Sequence, residues 1–151
     1  MVSNNEFAKV LVAFDGSKDS ENAVRLAGSI SSKFGSDVIL VHVFSSPTIG
    51  FTGGSGIPVP DYTELEEAKR ESAKGVLARG VQLANEQGIR AKGELIEAPS
   101  VVQALVELAA AEKADLIIAG TRGMTGFRKL ILGSVSSGLV NHSPCAVLIA
   151  R

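Results

Sequence analysis

The chain has 151 residues, 45% hydrophobic and 21% charged, which suits one globular domain with its own core. A net charge of −1 argues against non-specific binding to nucleic acid or to a membrane surface, and the apolar runs are too short to cross a bilayer. A single cysteine forms no internal disulfide, and the N-terminus lacks the basic segment and apolar core of a signal peptide, so a cytoplasmic location is expected.

Residues 1–7 are polar and read as a flexible tail before a domain over residues 8–151. Residues 8–14 are apolar and β-rich without polar alternation, the pattern of a strand buried on both faces. Asp15-Gly16-Ser17 turns the chain. Residues 18–34 then set Ala23, Ala27, Ile30 and Phe34 on one helical face, and Gly35 supplies the stop. Residues 38–44 are a second buried strand. Residues 45–60 are rich in glycine and proline and lack periodicity, so they read as a mobile loop or as a cover over a bound ligand.

A helix over residues 61–87 turns Leu65, Ala68, Ser72, Val76, Leu83 and Ala84 inward and ends at Gly88. Residues 90–97 form a more polar strand, as at a sheet edge. Pro99-Ser100 starts a helix that buries Val102, Leu105, Val106 and Ala109, and residues 115–120 are a fourth strand. A helix over residues 134–142 and an apolar strand over 146–150 close the chain. Strands alternating with helices make an α/β fold: a single-domain, open five-stranded parallel sheet with helices on both faces. Ligands in such sheets sit beyond the carboxyl ends of the strands, where the strand order reverses. For the order 3-2-1-4-5 that point lies between strands one and four, which end at Asp15 and Gly120.

The chemistry concentrates after strand four. Gly120-Thr121-Arg122-Gly123 opens a glycine-rich stretch that also carries Arg128 and Lys129, and Gly133-Ser134 starts the next helix. The first N–H groups of a helix have no intrahelical partner, and the helix dipole adds positive partial charge, so such a start binds anions. Ser134 and Ser136 add hydroxyls, although Ser134 also suits a plain capping role. There is no Gly-Lys pair of a Walker A loop, and the first strand–helix turn lacks Gly-x-Gly-x-x-Gly. Asp15 is either a turn or capping carboxylate or an acceptor for ribose hydroxyls or an adenine amino group. His42, inside an apolar strand, reads as packed and hydrogen-bonded. Neither histidine has partners spaced for a triad or a metal site.

Gly120-x-x-Gly123, nine further residues and Gly133-Ser134 resemble the ATP-binding signature of the universal stress protein family. Val-Ala-Phe-Asp-Gly-Ser at 12–17, Leu-Val-His-Val at 40–43 and Asn-His-Ser-Pro-Cys-Ala-Val-Leu-Ile at 141–149 extend the resemblance across residues 9–151. It implies an adenine nucleotide α-hydrolase-like fold with strand order 3-2-1-4-5. It also implies that Ala13 and Val43 lie against adenine, that Asp15 accepts from ribose hydroxyls or the adenine amino group, and that Gly120 lies by the ribose. Gly123, Gly133, Ser134, Val135 and Ser136 would hold the phosphates, with Arg122 adding charge. Mg²⁺ or Mn²⁺ would bridge the phosphates.

With no evident general base, ATP hydrolysis would be slow and the role regulatory or sensory. The final strand is apolar at a sheet edge and, as in the family, implies a homodimer through Ala146, Val147, Leu148 and Ile149. Family members often carry Cys-Pro-Val where this chain has Pro144-Cys145-Ala146-Val147, a departure at the strand entry. A nucleotide-free dimeric interaction module and a nucleotide-using α/β enzyme are the alternatives.

Overall fold

The computed structural model describes residues 6–45, 62–121 and 132–151. Residues 1–5 of the expected tail, the loop over 46–60, and Arg122, Gly123, Arg128 and Lys129 lie outside the described residues. The elements in chain order are β1 (Lys9–Ala13), α1 (Lys18–Phe34), β2 (Asp37–Phe44), α2 (Tyr62–Glu86) and β3 (Ala91–Glu97). They continue with α3 (Val101–Glu112), β4 (Leu116–Gly120), α4 (Ser134–His142) and β5 (Ala146–Ala150). The sheet runs β3-β2-β1-β4-β5 and every pairing is parallel, as the alternation predicts.

Alternation along the strands divides the core into two layers. Val10 and Val12 of β1, and Phe14 just beyond it, pack with Val38 and Leu40 against α1 and α2, through Ala23, Val24, Ala27 and Ala84. Leu11, Ile39, Val41 and Ile117 face α3 and α4, through Leu105, Ala109 and Leu139. Leu11, Leu40, Leu105, Ile117 and Ile118 are among the fully buried side chains. Each contributes about 1.5–3 kcal/mol relative to exposure.

Local signals set the helix ends. Ser17 is extended at φ −70° and its hydroxyl accepts the Ser20 N–H at 3.2 Å, which starts α1. Asp19 and Glu21 in the first turn and Lys33 in the last complement the dipole. Gly35, left-handed at φ 65°, stops the helix by donating its N–H to the Ser31 carbonyl at 2.8 Å. Ser100 caps α3 in the same way as Ser17 caps α1, accepting from the Gln103 N–H.

Two expectations change. Phe7, at the end of the segment read as a tail, packs against the core and sets its ring edge-on to Phe34 at 5.4 Å. Leu65, Ala68 and Ser72 were expected to face inward, but all are exposed, Leu65 at 49%. They lie in helical phase with Val76, yet burial in α2 starts only at Ala73. Periodicity marks the stripe; it does not mark where the supporting sheet ends. No helix among the described residues is long and apolar enough to cross a membrane.

Candidate functional site

At the strand-order reversal the backbone bonds of β1 and β4 go separate ways. β1 and β4 pair from Val10↔Leu116 to Val12↔Ile118. Beyond that point each strand turns to its outer neighbour. The Phe14 N–H donates to the Val41 carbonyl of β2 at 2.8 Å, and the Thr121 N–H donates to the Ala150 carbonyl of β5 at 2.9 Å. β1 and β4 thus cease to pair with each other before they leave their outer neighbours, and the end of this pairing, by Asp15 and Gly120, is where a ligand cleft is expected in such a sheet.

The β1 wall is a short chain of polar contacts. Asp15 Oδ1 accepts the Ser17 N–H at 2.9 Å, closing the turn into α1. The Ser20 hydroxyl donates to the Ser17 carbonyl at 2.8 Å and receives the Asp15 N–H at 3.4 Å. His42 donates from Nδ1 to the Phe14 carbonyl at 2.8 Å; a carbonyl only accepts, so that nitrogen carries the proton. This is the packed, hydrogen-bonded role expected of His42.

The β4 wall centres on Thr121, which is buried. Its carbonyl accepts the Gly133 N–H at 2.7 Å and the Ser136 hydroxyl at 3.0 Å, and its own hydroxyl donates to Asp19 Oδ2 of α1. Gly133 is the N-cap of α4 and makes no side-chain cap bond. The first helical bond of α4 runs from the Ser137 N–H to the Gly133 carbonyl, so the N–H groups of Ser134, Val135 and Ser136 lie ahead of it. Ser134 is exposed and Ser136 is buried, its hydroxyl shared between the Thr121 and Gly133 carbonyls.

Ala13, Val43 and Val135 are half-buried against the same core layer, the one shared with α3 and α4. Gly120 has a packing reason to be glycine: a Cβ there would lie 2.7 Å from Asp19 Cβ and 3.0 Å from the Asp19 carbonyl carbon. Asp15, Gly120, Gly133, Ser134, Val135 and Ser136 thus belong to elements that end or begin at the cleft. Ala146 through Ile149 line the outer edge of the sheet, away from it. Sequence reasoning missed Asp19 and Thr121. Asp19 looks like an ordinary first-turn acid, and only the tertiary approach of α1 to β4 distinguishes it.

The family profile of the universal stress proteins matches residues 6–151. The chain belongs to the universal stress protein family. A universal stress protein of Methanocaldococcus jannaschii is 31% identical over 149 residues, covering 97% of this chain and 84% of the relative. UspA of Lactobacillus plantarum has the same fold, with a TM-score of 0.78 at 22% identity, covering 97% of this chain and 99% of that one. So does a universal stress protein of Archaeoglobus fulgidus solved in complex with dAMP, with a TM-score of 0.70 at 20% identity, covering 97% and 99%.

Proposed function

We propose that this universal stress protein is a cytoplasmic ATP-binding module, a nucleotide-dependent regulator or sensor that works as a homodimer through β5. The observation that carries the reading is the start of α4 at the cleft. Three successive N–H groups precede the first helical bond, behind a glycine whose missing side chain leaves them open to an anion. The phosphates would lie against Ser134, Val135 and the Ser136 N–H, with Gly123 and Arg122 contributing from the stretch between. The Asp15 carboxylate would accept from the ribose across the cleft. Ala13 and Val43 offer the apolar surface that adenine needs. The dAMP complex of the Archaeoglobus fulgidus relative supports an adenine nucleotide as the ligand class.

Among the described residues no group of three or more His, Cys, Asp or Glu could hold a metal ion. A Mg²⁺ or Mn²⁺ ion would therefore take its oxygens chiefly from the phosphates. The chain's own part is binding and charge neutralisation, so hydrolysis is slow.

A second reading has its own observation. Gly120 and the Ser136 hydroxyl are both accounted for by packing, as a nucleotide-free interaction module would need. The two separate by calorimetry with ATP and Mg²⁺, after denaturing fresh protein and identifying any released nucleotide. Gly133 sits at φ −62°, which any residue adopts, so Gly133→Val keeps the fold while its side chain crowds the helix start. The expected result is ATP affinity at least about tenfold weaker, the scale of a helix-terminus interaction. Wild-type protein that carries no nucleotide and binds no added ATP would establish the interaction module instead.

A further inference from the structure

We infer that Asp19 and Thr121 are a positioning pair that spans the crossover and holds the α4 N-terminus ready for phosphate. The inference rests on the nucleotide reading above. Each wall of the cleft is internally bonded: Asp15, Ser17 and Ser20 on the β1 side, Thr121, Gly133 and Ser136 on the β4 side. Among the described residues, a side-chain bond joins the two walls: the Thr121 hydroxyl donates to Asp19 Oδ2, across 102 residues of sequence.

Thr121 is tied in four directions. Its N–H reaches β5 at Ala150, its carbonyl receives Gly133 and Ser136, and its hydroxyl reaches α1. The position of the Gly133 cap, and with it the direction of the Ser134–Ser136 N–H groups, follows from where Thr121 is held. Asp19 holds it from the side of α1, and Gly120 lets α1 come close enough to do so, since any Cβ there would strike Asp19. A bond with one charged partner, in a half-buried setting, is stronger than a neutral one and suits a brace. The adenine side of the cleft, at Ala13 and Val43, does not depend on this link.

That separation makes the inference testable. Thr121→Val keeps the shape and removes the hydroxyl, and Thr121→Ser restores it. ATP and adenosine affinities are measured by calorimetry on the full chain. Amide exchange is followed over residues 132–139 without ligand, and the melting temperature is recorded. In Thr121→Val, ATP binding is expected to weaken about tenfold, the scale of one charge-assisted bond. Adenosine binding stays at the wild-type value, and the α4 N-terminal amides exchange faster. Thr121→Ser returns both toward wild type.

Equal losses for ATP and adenosine together with a large fall in melting temperature would overturn the pair's positioning role and leave a merely structural one. So would unchanged exchange and unchanged ATP affinity. Wild-type protein that binds neither ligand would overturn the nucleotide reading itself. That outcome is distinct, because it appears before any variant is made.

Discussion

Two glycines five positions apart in α2 carry opposite consequences. A Cβ on Gly75 would meet no atom within 4 Å, whereas one on Gly80 would lie 2.5 Å from Leu40 Cδ2 and 2.7 Å from Phe14 Cδ1. Gly75→Ala should stabilise the protein by about 1 kcal/mol, the helix-propensity gain alone. Gly80→Ala gains the same propensity but forces the helix off the sheet, at an overpacking cost of about 1–3 kcal/mol, so the net change is destabilising. Urea unfolding of the two variants checks both signs, and a stabilised Gly80→Ala would contradict the close helix–sheet contact. From sequence the two glycines are indistinguishable, because the deciding atoms belong to Leu40 of β2 and to Phe14, just past β1. The same holds at Gly120, where the sequence points to an anion loop and the structure adds a second cause in Asp19. Residue identity was legible; what each residue touches was not.

At the level of elements, the two sheet edges differ in kind. β3 places Lys92 and Glu94 in an ion pair of 2.7 Å, and Glu97 pairs with Arg70 of α2, so this edge is charged and resists strand addition. β5 carries only Ala, Val, Leu and Ile. Association is therefore expected at β5. Ile149 is half-buried and is not among the residues packed against either core layer, so Ile149→Lys should perturb pairing without hollowing the core. Light scattering after size exclusion should show a dimer for the wild type and a monomer for the variant. A wild-type monomer removes β5 as an interface. Both edges were readable in advance from polarity, since an edge strand is judged by its own side chains. The inward face of α2 was read too long because that judgement needs the neighbouring sheet.

The described residues form one parallel sheet in which β1 and β4 stop pairing after Val12 and Ile118, and the proposed nucleotide cleft would lie beyond that point. Element sequence and the parallel sheet were legible from the alternation of strands and helices, while the strand order came from the family resemblance. The bond pattern at that point was not legible, since it depends on which outer neighbour each strand end chooses. A ligand gripped by both walls stabilises the folded state by mass action. ATP with Mg²⁺ at about one hundred times its dissociation constant should add about 2.7 kcal/mol. For a chain of this size that is a rise in melting temperature of about 5–10 °C. Thermal scans over an ATP series check it, and a flat series would count against binding at the cleft.

The span from Asp19 to Thr121 also has a kinetic consequence. A contact across 102 residues carries a loop-closure cost that local contacts do not. We predict that this bond forms after the rate-limiting step of folding, which refolding and unfolding rates of wild type and Thr121→Val would check. A nucleotide bound there would then leave the folding rate almost untouched and slow unfolding, lengthening the lifetime of the native state.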